Sequence, residues 1–64
     1  MYASVRNGSV GLYNGSSVPI AVFGHGQGIT HAIVNGDTIY CETFHGRTIV
    51  YEINGSNVVM VNSY

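Results

Sequence analysis

An all-β fold follows from three observations on this sequence: one domain over residues 1–64, a small antiparallel meander of six or seven short strands. Val, Ile, Thr and Tyr dominate, and nine glycines fall every few residues, a mix suited to pleated strands and tight turns. No stretch repeats apolar residues at helical spacing. Asn-Gly recurs at Asn7-Gly8, Asn14-Gly15, Asn35-Gly36 and Asn54-Gly55, a strong hairpin signal because both residues tolerate positive φ. His45-Gly46 sits in an equivalent context.

The elements follow in order. Strands near 2–6 and 9–13 flank Asn7-Gly8, and a two-residue turn there sets Val5 opposite Val10 and Ala3 opposite Leu12 on one apolar face. A third strand near 18–23 carries Pro19, which donates no ladder hydrogen bond, so it is an edge or bends there. Strands near 29–34 and 38–44 enclose Asn35-Gly36-Asp37, and a three-residue loop pairs Ile33 with Ile39 and His31 with Cys41. A three-residue loop at His45-Gly46-Arg47 leads to a strand near 48–53, with Ile39 opposite Ile53 and Cys41 opposite Tyr51. A seventh strand lies near 58–63. "YNGSSV", "VNGDTI", "FHGRTI" and "INGSNV" share one pattern at spacings of 21, 10 and 9 residues, the rhythm of a meander rather than a solenoid.

This register puts Ile33, Ile39, Cys41, Ile49, Tyr51 and Ile53 on one face. The other face holds Ala32, Val34, Tyr40, Phe44 and Val50 and is not plainly polar. A sheet apolar on both faces closes as a barrel or is sealed by homo-oligomerisation.

Size and charge point the same way. A chain of 64 residues buries a modest core, and domains below roughly 70 residues usually add a staple. Cys41 is the only cysteine, so no internal disulfide forms, and a lone thiol fits a reducing compartment or a small buried apolar residue. Arg6, Asp37, Glu42, Arg47 and Glu52 are the only charged residues, 8% of the chain, against 45% hydrophobic. Monomer surfaces usually carry about 25–35% charge, so the expected partner is the chain itself. The formal charge of −1 disfavours nucleic acid, whose phosphates call for many Lys and Arg contacts. No basic run faces a membrane, and no transmembrane run or signal peptide is read. The expected location is cytoplasmic, or within an assembled particle.

Successive meander turns alternate between the two ends of the sheet. One end therefore collects Asn7-Gly8, the loop of Gly24, His25, Gly26, Gln27 and Gly28, then His45-Gly46 and the region past Val61. Arg6 and Arg47 fall at this end, Asp37 at the other. Glycine-exposed amides form anion-binding concavities, and guanidiniums add bidentate contacts to phosphate, sulfate or carboxylate. The candidate ligand-binding residues are Arg6, Gly24, His25, Gly26, Gln27, Gly28, His45 and Arg47. A dinucleotide loop is excluded, because "GHGQGI" lacks the third required glycine and a strand follows it.

No metal, cofactor or catalytic residue is assigned. His25, His31, His45, Cys41 and Glu42 lack zinc-ligand spacing. Alternation sends Glu42 to the face opposite Cys41, so it cannot orient His31 for a Cys41–His31 nucleophile. The Asn-Gly-Ser triplets at 7, 14 and 54 are read as turn chemistry. Tyr2, Tyr13, Tyr40, Tyr51 and Tyr64 suit strands, sugar stacking or an interface. The expected function is a small non-enzymatic oligomeric binding protein with an anionic ligand or a partner at the arginine end. The alternatives are a purely structural self-assembling subunit (ring, fibre, or viral or phage particle) and a lectin-like sugar-binding module.

Overall fold

The computed structural model describes all 64 residues. Seven strands form in order: β1 (Tyr2–Arg6), β2 (Ser9–Tyr13), β3 (Ala21–Phe23), β4 (Ile29–Asn35), β5 (Thr38–Thr43), β6 (Thr48–Asn54) and β7 (Asn57–Ser63). They make two antiparallel sheets, β1-β2-β3 and β4-β5-β6-β7, and every ladder joins strands consecutive in sequence. The ladders do not close into a barrel. β1 lies beside β4, and the Ile29 amide donates to the Gly8 carbonyl across that junction at 3.3 Å. The core sits between the sheets. Val10 and Leu12 come from one, Ile29, Ile39, Cys41, Ile49 and Tyr51 from the other.

The first hairpin matches its expected register, with Val5 opposite Val10 and Ala3 opposite Leu12. Asn7 and Gly8 stand at φ 54° and 79°. Positive φ at both central residues is the pattern of a type I′ turn, whose twist suits the strands it joins.

The Asn35-Gly36 hairpin corrects the expected register by one residue. Asn35 pairs with Thr38 as the last rung of its ladder, and Gly36, at φ 65°, becomes the first central residue of a two-residue turn with Asp37. Positive φ at that position alone fits a type II′ turn. The slip exchanges the faces of β4. Val34 now opposes Ile39, and Cys41 opposes Ala32 rather than His31. Ala32 and Val34 pack on the core, while Ile33, expected inside, is 66% exposed.

At the next hairpin the three-residue loop is Phe44-His45-Gly46, one position earlier than expected. The Gly46 amide donates to the Thr43 carbonyl, and the Thr43 amide donates to the Arg47 carbonyl. Gly46 supplies the left-handed residue at φ 81° that such loops place last. Ile39 therefore opposes Tyr51 rather than Ile53, and Cys41 opposes Ile49 rather than Tyr51. A two-residue shift preserves the faces, so Ile39, Cys41, Ile49 and Tyr51 are buried together as expected.

β3 is the edge of its sheet but begins at Ala21, three residues later than expected. Pro19 cannot donate to a ladder, and the first rung beyond it is the Ile20 amide on the Leu12 carbonyl at 2.7 Å.

Candidate functional site

Hydrogen bonds tie the arginine end together. The Gly8 carbonyl takes the Ile29 amide, and the Gly28 carbonyl takes the Phe44 amide at 3.1 Å. Ser9 Oγ lies 2.8 Å from His25 Nδ1. The β1–β2 turn, the Gly24–Gly28 loop and the β5–β6 turn therefore meet at one end, with Arg6 and Arg47 beside them.

The loop from Gly24 to Gly28 has an unusual backbone. Gly24, Gly26 and Gly28 stand at φ 81°, 78° and 69°, while His25 and Gln27 between them lie outside the positive region. The sign of φ thus alternates along five residues. The Gln27 amide donates to the Gly24 carbonyl at 3.2 Å, and the amides of His25, Gly26 and Gly28 donate to no backbone acceptor. Negative φ at His25 and positive φ at Gly26 inside the Gly24–Gln27 hydrogen bond are the pattern of a type II turn, which leaves loop amides free for an outside acceptor such as an anion.

Two clefts flank this loop and divide the candidate residues between them. The first, of about 340 Å³, is lined by Gly26, Gln27, His45 and Arg47, with Thr43 and Ile49 behind them and Met60 and Ser63 of β7 opposite. Thr43 and Ile49 are buried, and Met60 beside them is exposed. The second, of about 570 Å³, takes Arg6 and His25 together with Ser9, Tyr13 and Ser17. Gly24 and Gly28 line neither. A Cβ on Gly24 would meet Ile29 Cδ1 at 2.5 Å, and one on Gly28 would strike the Phe44 ring. These two glycines let the loop pack tightly against its neighbours. The two arginines thus serve different clefts rather than one.

Arg47 is positioned by three contacts. One guanidinium nitrogen, Nη2, donates to Ser63 Oγ at 2.5 Å. Its backbone amide donates to Thr43 Oγ1, and its carbonyl accepts from the Thr43 amide. No carboxylate lines either cleft. Asp37 occupies the turn at the far end, and Glu42 and Glu52 stand exposed on the outer face of their sheet. A cation without a neighbouring carboxylate keeps its charge available for an incoming anion. Met60 and Ser63 were not among the candidate residues, although the region past Val61 was assigned to this end. They reach the cleft because β7 returns antiparallel along β6.

The alternative chemistries have less to work with. His31 and Glu42 are cross-strand neighbours on the outer face, which corrects the expectation that Glu42 cannot approach His31. Cys41 lies on the inner face, so the three do not assemble. No three His, Cys, Asp or Glu side chains gather as metal ligands. Burial pushes the Cys41 thiol from its ordinary 9.0 up to about 11, which suppresses the nucleophilic thiolate near neutrality. Tyr2 and Tyr13 stack at 5.2 Å and 11° beside the second cleft.

No protein-family model, no curated protein and no solved structure matches this chain.

Proposed function

We propose that this chain is a small, non-enzymatic, homo-oligomeric binding protein that takes a small anion in the cleft between the Gly24–Gly28 loop and Arg47. The ligand group is phosphate-, sulfate- or carboxylate-like. One observation carries this reading: Gly26, whose amide has no backbone acceptor, lines one cleft with an arginine that faces no carboxylate. Gln27 and His45 add neutral donors at the rim.

The test is a titration of the full chain with inorganic phosphate and sulfate, followed by thermal unfolding and by amide chemical shifts. At 100 times its Kd a ligand adds about 2.7 kcal/mol of stability. Arg47→Ala should abolish the shift and Arg6→Ala should leave it. The reverse pattern would move the site to the second cleft, and no response to either anion would sink the reading.

A purely structural subunit is the second reading. It is favoured by the surface: only nine residues are buried, while Val18, Val22, Ile33, Phe44, Met60 and Tyr64 are all exposed. In both readings a further copy, rather than barrel closure, seals the apolar surface that the open ladders leave. Large assemblies with no anion response would favour the structural subunit.

A further inference from the structure

We infer that β7 is a docking edge for a second copy of this chain, added antiparallel so that the four-stranded sheets of two protomers become one continuous sheet. This rests on the oligomeric reading above and names its interface.

β7 is the outer strand of its sheet. The opposite boundary of this sheet, β4, is covered by β1, which lies beside it without a ladder and is joined to it by the Ile29–Gly8 hydrogen bond. β3 approaches β7 but forms no ladder with it. One row of β7 backbone groups is therefore without a strand partner, and such a row is a template for another chain. Proteins usually blunt an exposed edge with lysine, proline, inward charges, a bulge or brevity. β3 uses two of these, being three residues long and preceded by Pro19. β7 runs for seven residues, Asn57–Ser63, with no charge and no proline. Its one device is the register shift that leaves Val61 without a partner on β6.

The side chains say what the partner is. Val59, Met60 and Val61 are 53%, 56% and 54% exposed, which is a consecutive apolar run on an edge. A charged partner strand gains nothing from a neutral edge, whereas a second β7 brings neither like charges nor unmatched ones. A two-fold pairing makes the same patch serve both protomers.

The dimensions agree. Seven residues extend about 23 Å at roughly 3.3 Å each, a long edge for a molecule whose greatest dimension is 30 Å. A standard interface takes about 800 Å² from each partner. That is about a fifth of the 4075 Å² surface, an amount that only a whole side of so small a molecule supplies. Met60 and Ser63 also line the Arg47 cleft, so the docked copy lies beside that cleft.

The test is the solution mass of the full chain by sedimentation across a concentration series, with hydrogen exchange on the same samples. The wild type should weigh as a dimer or a multiple of one, and the β7 amides should gain protection as concentration rises. Val59→Lys and Val61→Lys should halve the mass with circular dichroism unchanged, and Ile33→Lys, exposed but away from the edge, should not. An oligomer that keeps its mass in both edge variants and exchanges β7 amides at the same rate at every concentration overturns this interface while leaving the oligomeric reading intact. So does one dissociated by Ile33→Lys alone. A monomer at all concentrations overturns both. If the edge variants fail to fold, the concentration dependence of wild-type exchange decides alone.

Discussion

The rings of Phe23 and Tyr51 lie 4.5 Å apart between centroids at an angle of 58°, and they join the two sheets. Phe23 closes the short edge strand of one sheet, and Tyr51 is buried in the middle of the other. Tilted rings at this distance attract beyond their buried area. Phe23→Ala should lower stability by about 2–4 kcal/mol, much of the ~3–5 kcal/mol that so small a core supplies. Urea unfolding measures the loss. A double-mutant cycle with Tyr51→Leu should return a coupling of about 0.5–1.5 kcal/mol, and a coupling near zero would mean the sheets are held elsewhere.

Alkaline pH should loosen the same core. Burial raises the Cys41 thiol from 9.0 to about 11, and burial first, then Cys41, raises the Tyr51 phenol. Both groups hold their protons more tightly folded than unfolded. The Cys41 contribution is therefore complete below pH 9 and is lost as pH rises through about 11, and Tyr51 adds to the loss in the same direction. The rise of the Cys41 thiol from 9.0 to about 11 corresponds to about 3 kcal/mol. Stability measured by denaturant at pH 7, 9, 10 and 11 should fall over the last three points. Cys41→Ala should flatten part of that slope, and an unchanged slope would remove Cys41 from the account.

The three loop glycines should separate under alanine substitution. Each pays the left-handed penalty of about 1–2 kcal/mol, but their surroundings differ. Gly24→Ala also drives a methyl into Ile29 in the core, an overpacking of about 1–3 kcal/mol. Gly28→Ala displaces the exposed Phe44 ring, which can turn away. Gly26 has nothing within 4 Å of its would-be Cβ. Gly26→Ala should therefore stay folded while weakening phosphate binding, and Gly24→Ala should be the least stable of the three by thermal unfolding.

Much of the fold was legible because Asn-Gly is a local signal. At Asn7-Gly8 both residues take the central turn positions, and the register followed directly. At Asn35-Gly36 and Asn54-Gly55 the same dipeptide is used differently. The asparagine ends a strand, and glycine followed by Asp37 or Ser56 makes the turn. The dipeptide alone does not say which, because positive φ at asparagine is an option rather than a requirement. That single ambiguity exchanged Ile33 for Val34 on the inner face and separated His31 from Cys41.

The candidate site was legible at the level of ends and not of faces. Alternating turns gathered the loop glycines, His25, His45 and both arginines toward one end. Whether Arg6 and Arg47 look into one cleft depends on how the sheets lie across each other. That is fixed by the packing of Val10, Leu12, Ile29 and Tyr51, contacts between residues far apart in the sequence.

The consecutive order of the strands has a kinetic consequence. Each ladder closes a short loop, so little chain entropy stands before each rung, and topologies of this kind fold fast for β proteins. The β1–β4 junction is the long-range step, since it joins strands separated by β2 and β3. Until it closes, the folding chain is a pair of small sheets with β1 and β4 bare as well as β7. The yield of refolding should therefore depend on concentration more steeply than the stability of the finished molecule does.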